Sequence, residues 1–167
     1  MEQKISRLMA EMMEYEAGCP ARAQHLLKVY GFARHIAILE GMAEETRQTL
    51  EAAALVHDIG IKPSLEKYGS SAGEYQEKEG PEAARPMLEK LGFPQEMRER
   101  VCWLVGHHHT YHDIDGADYQ ILVEADFLVN LYEGNAGERE IRAAREKIFR
   151  TGAGTKMLDN LFLNAGN

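Results

Sequence analysis

Apolar residues recur at three- and four-residue intervals along almost the whole chain. No stretch alternates with a period of two through β-branched residues. The pattern predicts helices throughout. The first covers about residues 2–16, with Ile5, Leu8, Met9 and Met12 on one face, and a turn follows at Gly18-Cys19-Pro20. A second covers about 21–40. A third covers about 43–58 and stops at Gly60, with Pro63 just beyond. Residues 61–79, IKPSLEKYGSSAGEYQEKE, are the least regular part and read as a surface loop or a loop that covers a substrate. A fourth helix begins near Gly80, with Pro81 at its first position and a kink at Pro86. A fifth, opened by Pro94, runs through FPQEMRERVCWLVGHHH. After the polar connection TYHDIDGAD come helices at about 118–133 and 137–150, then a short last helix after Gly154. No repeat, low-complexity tract or linker interrupts the series. The expectation is an all-α, single-domain helical bundle over residues 1–167, with its core at about 20–135 and helices at 137–163 packed onto it.

Helical spacing then sorts the polar side chains by face. His25 continues the apolar stripe of Val29, Phe32 and Ile36. His57 continues that of Leu50, Ala53 and Ala54. His108 follows Met97, Val101, Leu104 and Val105, and Asp126 lies between Leu122 and Val129. A single inward histidine or aspartate is ordinarily a hydrogen-bonded core residue. Here, imidazoles and carboxylates from four helices all face inward, with few inward lysines or arginines to neutralise them. Burying carboxylates without compensation costs several kcal/mol each. A divalent cation compensates them and takes neutral imidazole as a ligand. In EAAALVHDIGIKP, His57 and Asp58 are neighbours at a helix end, where side chains about 100° apart can still reach one ion and the helix dipole favours a cation.

Composition narrows the function classes. The chain has 167 residues, a formal net charge of −8 and two cysteines, Cys19 and Cys102. The acidic balance argues against nucleic acid as a partner. Two distant thiols do not make a disulfide framework. The N-terminal residues are too charged for a signal peptide, and no apolar run is long enough to span a membrane, so a cytoplasmic protein without a membrane partner is expected.

The ordered set of His25, His57-Asp58 and Asp126 resembles the HD-domain superfamily of metal-dependent phosphohydrolases. Its contexts are RAQHLLKVYGFARHIA, ALVHDIG and ILVEADFLVN. The resemblance covers roughly residues 20–135. It implies an all-α bundle with the metal in its centre, held by His25, His57, Asp58 and Asp126. It also implies an enzyme that cleaves the phosphate ester of a nucleotide or other small phosphorylated metabolite with metal-activated water. The alternative is a nucleotide-binding or regulatory module that keeps the metal without significant turnover.

Two-metal members of the superfamily carry a further histidine where this chain has Gln76, and a His-His pair that GHHHT can supply. A second site would therefore draw on Glu77, Glu79, His107 and His108. The apolar stripe ending at Val105 favours His108 and then His107, leaving His109 at the surface. The simpler expectation is one ion. Imidazole and carboxylate ligands suit Mn, Fe, Co, Ni or Zn. Arg22 and Lys62 are candidates for binding substrate phosphate. Asp58, Lys62, His107 and His108 are candidates for catalysis, the histidines as proton donors to a leaving group. An oxygenase with a di-iron centre would need more histidines between the doublet and the fifth helix, and residues 59–106 contain none. The C-terminal apolar positions Met157, Leu158, Leu161, Phe162 and Leu163 pack on the same bundle or on a second copy, so a monomer or homodimer is expected.

Overall fold

A computed structural model describes residues 1–164. Among these residues there are nine α-helices, a closing π-helical turn and no strand. The helices are α1 (Glu2–Tyr15), α2 (Pro20–Leu39), α3 (Glu44–Val56), α4 (Ile61–Tyr68) and α5 (Gly73–Lys90). They continue with α6 (Gln95–Val105), α7 (Ala117–Glu133), α8 (Glu138–Lys147) and α9 (Gly152–Leu158), and the π-helical turn is Asp159–Leu163. The all-α, single-domain expectation holds.

α3 is the axis of the bundle. Every residue from Thr49 to Val56 is buried, because α1, α2, α6 and α7 all pack against it. A helix enclosed on all sides must be apolar or compensated all round. Ala52, Ala53 and Ala54 meet that demand and let the neighbouring helices approach closely. Glu51 meets it by accepting hydrogen bonds from both Arg34 and Arg47. The two ends of α3 therefore differ. Its N-terminus lies near the surface, and its C-terminus delivers His57 into the interior.

Residues 61–79 are not a loop. They form α4 and the first turns of α5. Pro63 reads as a stop signal in the sequence, but it lies in the first turn of α4, where the backbone N–H it lacks would have no helical partner. Pro81 likewise does not open a helix. It and Pro86 lie inside α5, which packs against both α4 and α6, and packing of this kind overrides local propensity. The fifth predicted helix ends earlier than expected, at Val105, so the three histidines that follow it are on a turn. α8 stops at Lys147 rather than Arg150, and α9 starts before Gly154.

Two glycines set how closely these elements meet. A Cβ on Gly60 would lie 2.6 Å from the Gln76 carbonyl oxygen and 2.8 Å from the Gly80 nitrogen. A Cβ on Gly80 would lie 2.6 Å from Cγ1 of Val105. Gly60 has ordinary right-handed dihedrals. Its role is close contact between the α3–α4 turn and α5, rather than an unusual backbone conformation. The C-terminal segment is tied to α7 by Glu124, a fully buried carboxylate that accepts the backbone N–H groups of Arg150 (2.7 Å) and Thr151 (2.9 Å). Cys19 and Cys102 are free thiols. No described helix is long and apolar enough to cross a membrane.

Candidate metal centre

Two helices, α3 and α6, end in the same way. α3 stops at Val56, and Nδ1 of His57 donates to the Ala54 carbonyl at 2.9 Å. α6 stops at Val105, and Nδ1 of His108 donates to the Val105 carbonyl at 2.9 Å. The last carbonyls of a helix lack intrahelical partners, and each imidazole satisfies one of them. The cap also fixes the ring. With Nδ1 committed as donor, Nε2 is turned inward as the free atom. His25, on α2, reaches the same state by a different route: its Nδ1 donates to Oε2 of Glu133 at 2.9 Å.

The inward atoms converge. Nε2 of His25 is 3.3 Å from Nε2 of His57, 3.3 Å from Oδ2 of Asp58 and 3.1 Å from Oδ1 of Asp126. Nε2 of His57 is 3.6 Å from Oδ2 of Asp58 and 3.4 Å from Oδ1 of Asp126. Ligands held about 2.1 Å from a common ion stand roughly 3.0 Å apart across right angles and roughly 3.4 Å apart across tetrahedral angles. The observed spacings, 3.1–3.6 Å, lie close to those values. His57 is fully buried, His25 and Asp126 are buried, and Asp58 is partly exposed. In the neutral tautomers set by their Nδ1 bonds, the two imidazoles point lone pairs at each other and at two carboxylates. Such a set requires a cation or additional protons, so the donor set fits a divalent ion.

The acid–base behaviour of the ion-free cluster follows from the same crowding. Burial lowers the pKa of His25, but its hydrogen bond to Asp126 and the charges of Asp58 and Asp126 outweigh that and raise it to about 9. Burial works the same way on His57, and the same two carboxylates raise it. Burial pushes Asp58 and Asp126 up, and the histidines pull them down further: His57 and His108 act on Asp58, His25 and His57 on Asp126. Both carboxyls end below the usual carboxylate range. Protons here take the place of a metal ion's charge.

A second group adjoins the first through Asp58. Its Oδ1 is 3.2 Å from Nε2 of His108, and Asp58, His108 and His109 offer ligand atoms within 4.8 Å of one another. Nε2 of His109 is 3.2 Å from the side-chain oxygen of Gln76. His109 is therefore turned inward and partly buried, not left at the surface. Burial and then the neighbouring His108 charge lower its pKa to about 4. His107 faces away: its ring stacks on Trp103 at 4.1 Å, and its Nδ1 donates to the Trp103 carbonyl at 2.6 Å. The helical stripe favoured His107 because it assumed that the helix continued past Val105.

Neither glutamate assigned to a second site faces it. Glu79 pairs with Lys67 and accepts from the Tyr68 hydroxyl, binding α5 to α4. Glu77 accepts from the backbone N–H of His109 at 3.0 Å and the hydroxyl of Thr110 at 3.1 Å, so it holds the histidine-bearing turn. The hydroxyl of Tyr119 clamps the same turn from the other side, donating to the carbonyls of His107 (2.6 Å) and Thr110.

The two candidate phosphate ligands lie at the turn between α1 and α2. Nε of Arg22 donates to Oε2 of Glu16 at 2.6 Å, and its terminal guanidinium nitrogens make no hydrogen bond among the described residues. Nζ of Lys62 donates to the Tyr15 carbonyl at 3.2 Å and lies 4.9 Å from the centre of the Tyr15 ring. Both cations are thus held against the C-terminal end of α1.

Two residues beside the cluster had no place in the sequence reading. Glu133 holds His25, and Nδ2 of Asn130 donates to Oδ1 of Asp126 at 2.9 Å. Their signal was present in the spacing, since Asp126, Asn130 and Glu133 are four and then three residues apart and share one face of a helix. A cavity of about 530 Å³ between α7 and α8 is lined by none of the four clustered residues.

Comparison with curated proteins and with solved structures gives no match. The family model described as HD domain matches residues 22–148.

Proposed function

This chain belongs to the HD-domain family, and on that footing we propose that it is a metal-dependent phosphohydrolase acting on a small phosphorylated metabolite. The observation that carries the proposal is the convergence of His25, His57 and Asp58, whose ligand atoms lie within 4.8 Å of one another, with Oδ1 of Asp126 3.1 Å from Nε2 of His25 and 3.4 Å from Nε2 of His57. Those four residues would hold one divalent transition metal: Mn, Fe, Co, Ni or Zn. Such an ion supplies positive charge and Lewis acidity, which acidify water and offset the charge of a phosphoryl group.

The chain's own groups do the rest. His25 and His57 would bind it as neutral imidazoles, because their Nδ1 protons are committed to Glu133 and to the Ala54 carbonyl. Asp58 turns Oδ2 to this set and Oδ1 to His108. Nε2 of His108 lies 3.2 Å from Oδ1 of Asp58, beside the cluster, where it would serve as the proton donor to a leaving oxygen. Arg22 and Lys62 would hold the remaining phosphate charge. The free guanidinium nitrogens of Arg22 match a phosphate better than the already engaged ammonium of Lys62.

A second ion at Asp58, His108 and His109 is the other reading, favoured by the grouping of their ligand atoms. In that case His108 has no proton to donate, and Gln76 contributes an amide oxygen. A module that binds a nucleotide without turnover would use the same ligands.

A panel of nucleotides, sugar phosphates and phosphodiesters, incubated with the protein and Mn²⁺, separates these possibilities. The expected result is phosphate or phosphomonoester release that stops on addition of a chelator. Tight binding of a nucleotide with no release from any substrate would favour the binding module.

A further inference from the structure

α7 serves the centre at three positions on one face, at residues 126, 130 and 133. Asp126 supplies a carboxylate to the cluster. Asn130 donates to that carboxylate at 2.9 Å. Glu133, one turn further on, accepts the Nδ1 proton of His25 at 2.9 Å through Oε2. The other oxygen of Glu133 accepts from Nζ of Lys28 at 2.6 Å. Lys28 itself lies three residues after His25 on α2, so the brace joins the two helices that carry His25 and Asp126.

The inward histidines differ in what holds them. His57 and His108 are fixed by carbonyls of their own helices, and a neighbouring side-chain substitution leaves those carbonyls in place. His25 sits in the interior of α2, where every backbone carbonyl already serves the helix. Its ring has one fixed partner on the outer side, Glu133. Without it, nothing decides which nitrogen carries the proton, and the tautomer protonated on Nε2 presents N–H, not a lone pair, to the ion. A carboxylate on the far nitrogen also makes the imidazole a stronger donor.

We propose that Glu133 is a positioning residue of the metal centre, setting the tautomer and orientation of His25 and through them the affinity for the ion. The proposal rests on the metal assignment made above. Lys28 holds Glu133 from the solvent side and is less important, because its pair with Glu133 is partly exposed.

Mn²⁺ affinity of the full chain, measured by titration calorimetry, tests this. Glu133→Ala should weaken Mn²⁺ binding roughly 10- to 100-fold, as losses of such outer partners do. Glu133→Gln retains an oxygen that accepts the Nδ1 proton, and should stay within about 3-fold of the wild type and tighter than Glu133→Ala. In a His25→Ala background, Glu133→Ala should have almost no further effect, since it acts through the ring that has been removed. With Co²⁺ as the probe, the visible spectrum should change in Glu133→Ala and recover in Glu133→Gln. Unchanged Mn²⁺ affinity in both variants would overturn the proposal, as would equal losses with and without His25. If Glu133→Ala does not fold, a Glu133→Gln affinity weakened as much as known outer-partner losses would also overturn it. A wild-type protein that takes up no Mn²⁺ would overturn the metal assignment itself, a different result from wild-type binding that Glu133→Ala leaves untouched.

Discussion

His25 and His57 hold their Nε2 atoms 3.3 Å apart with two carboxylates alongside, and without an ion this arrangement depends on protons. In metal-free protein, His25 has a folded pKa of about 9 against an ordinary 6.5, and His57 is shifted the same way. A raised pKa means that the folded state binds the proton more tightly. The resulting stability is fully present below pH 6.5 and lost as pH rises through about 9. His109 is shifted the other way, to about 4, so its contribution is present above pH 6.5 and lost as pH falls toward 4. Thermal unfolding of chelated protein should therefore show greatest stability near pH 6.5, with a decline toward pH 9 that saturating Mn²⁺ removes. A melting temperature flat from pH 6.5 to 9 without metal would contradict the geometry assigned to these rings. At this scale the sequence was legible where a residue lies on a regular helix. His25 and Asp126 could be placed from the 3.6-residue period. His109 and His107 could not, because α6 ends at Val105 and the period stops with it. Glu133 was legible in spacing alone, yet nothing in the sequence indicates that its partner is a histidine from α2.

The packing of α3 against its neighbours decides where the cluster forms. Its C-terminus opens into the site because the α3–α4 turn presses onto α5, and that approach leaves no room for a side chain at Gly60. Gly60→Ala should cost about 1–3 kcal/mol, the usual range for overpacking a well-filled interior. The obstacles are backbone atoms at 2.6 and 2.8 Å, which cannot move aside as a flexible side chain would. Urea denaturation of the metal-free variant measures this, and a midpoint equal to the wild type's would contradict the fit. The run EAAALV could be read as helix from its composition, and its burial on every side follows from that composition once four helices surround it. α4 could not be read, because Pro63 and Gly60 carry the signals of a break. The break is real, but it separates two helices: Pro63 suits the first turn of α4, and Gly60 fits a close contact between elements far apart in sequence.

Across the whole molecule, four helices contribute one metal-facing group or more each, and the fold's main interior function is to bring them to one point. His25 comes from α2, His57 and Asp58 from the end of α3, His108 from the end of α6 and Asp126 from α7. Buried carboxylates set among imidazoles would cost stability in any fold that left them uncompensated. A divalent ion among these groups would supply that compensation. The most direct measurement is to equilibrate wild-type protein and Asp58→Ala with Mn²⁺, remove free ion, and determine both bound manganese and the rate of phosphate-ester hydrolysis on the same samples. Asp58 reaches both histidine groups, so its loss should empty the centre and lower the rate by roughly 100-fold or more, beyond what loss of an outer partner causes. Bound manganese and hydrolysis both at wild-type levels in Asp58→Ala would contradict the account.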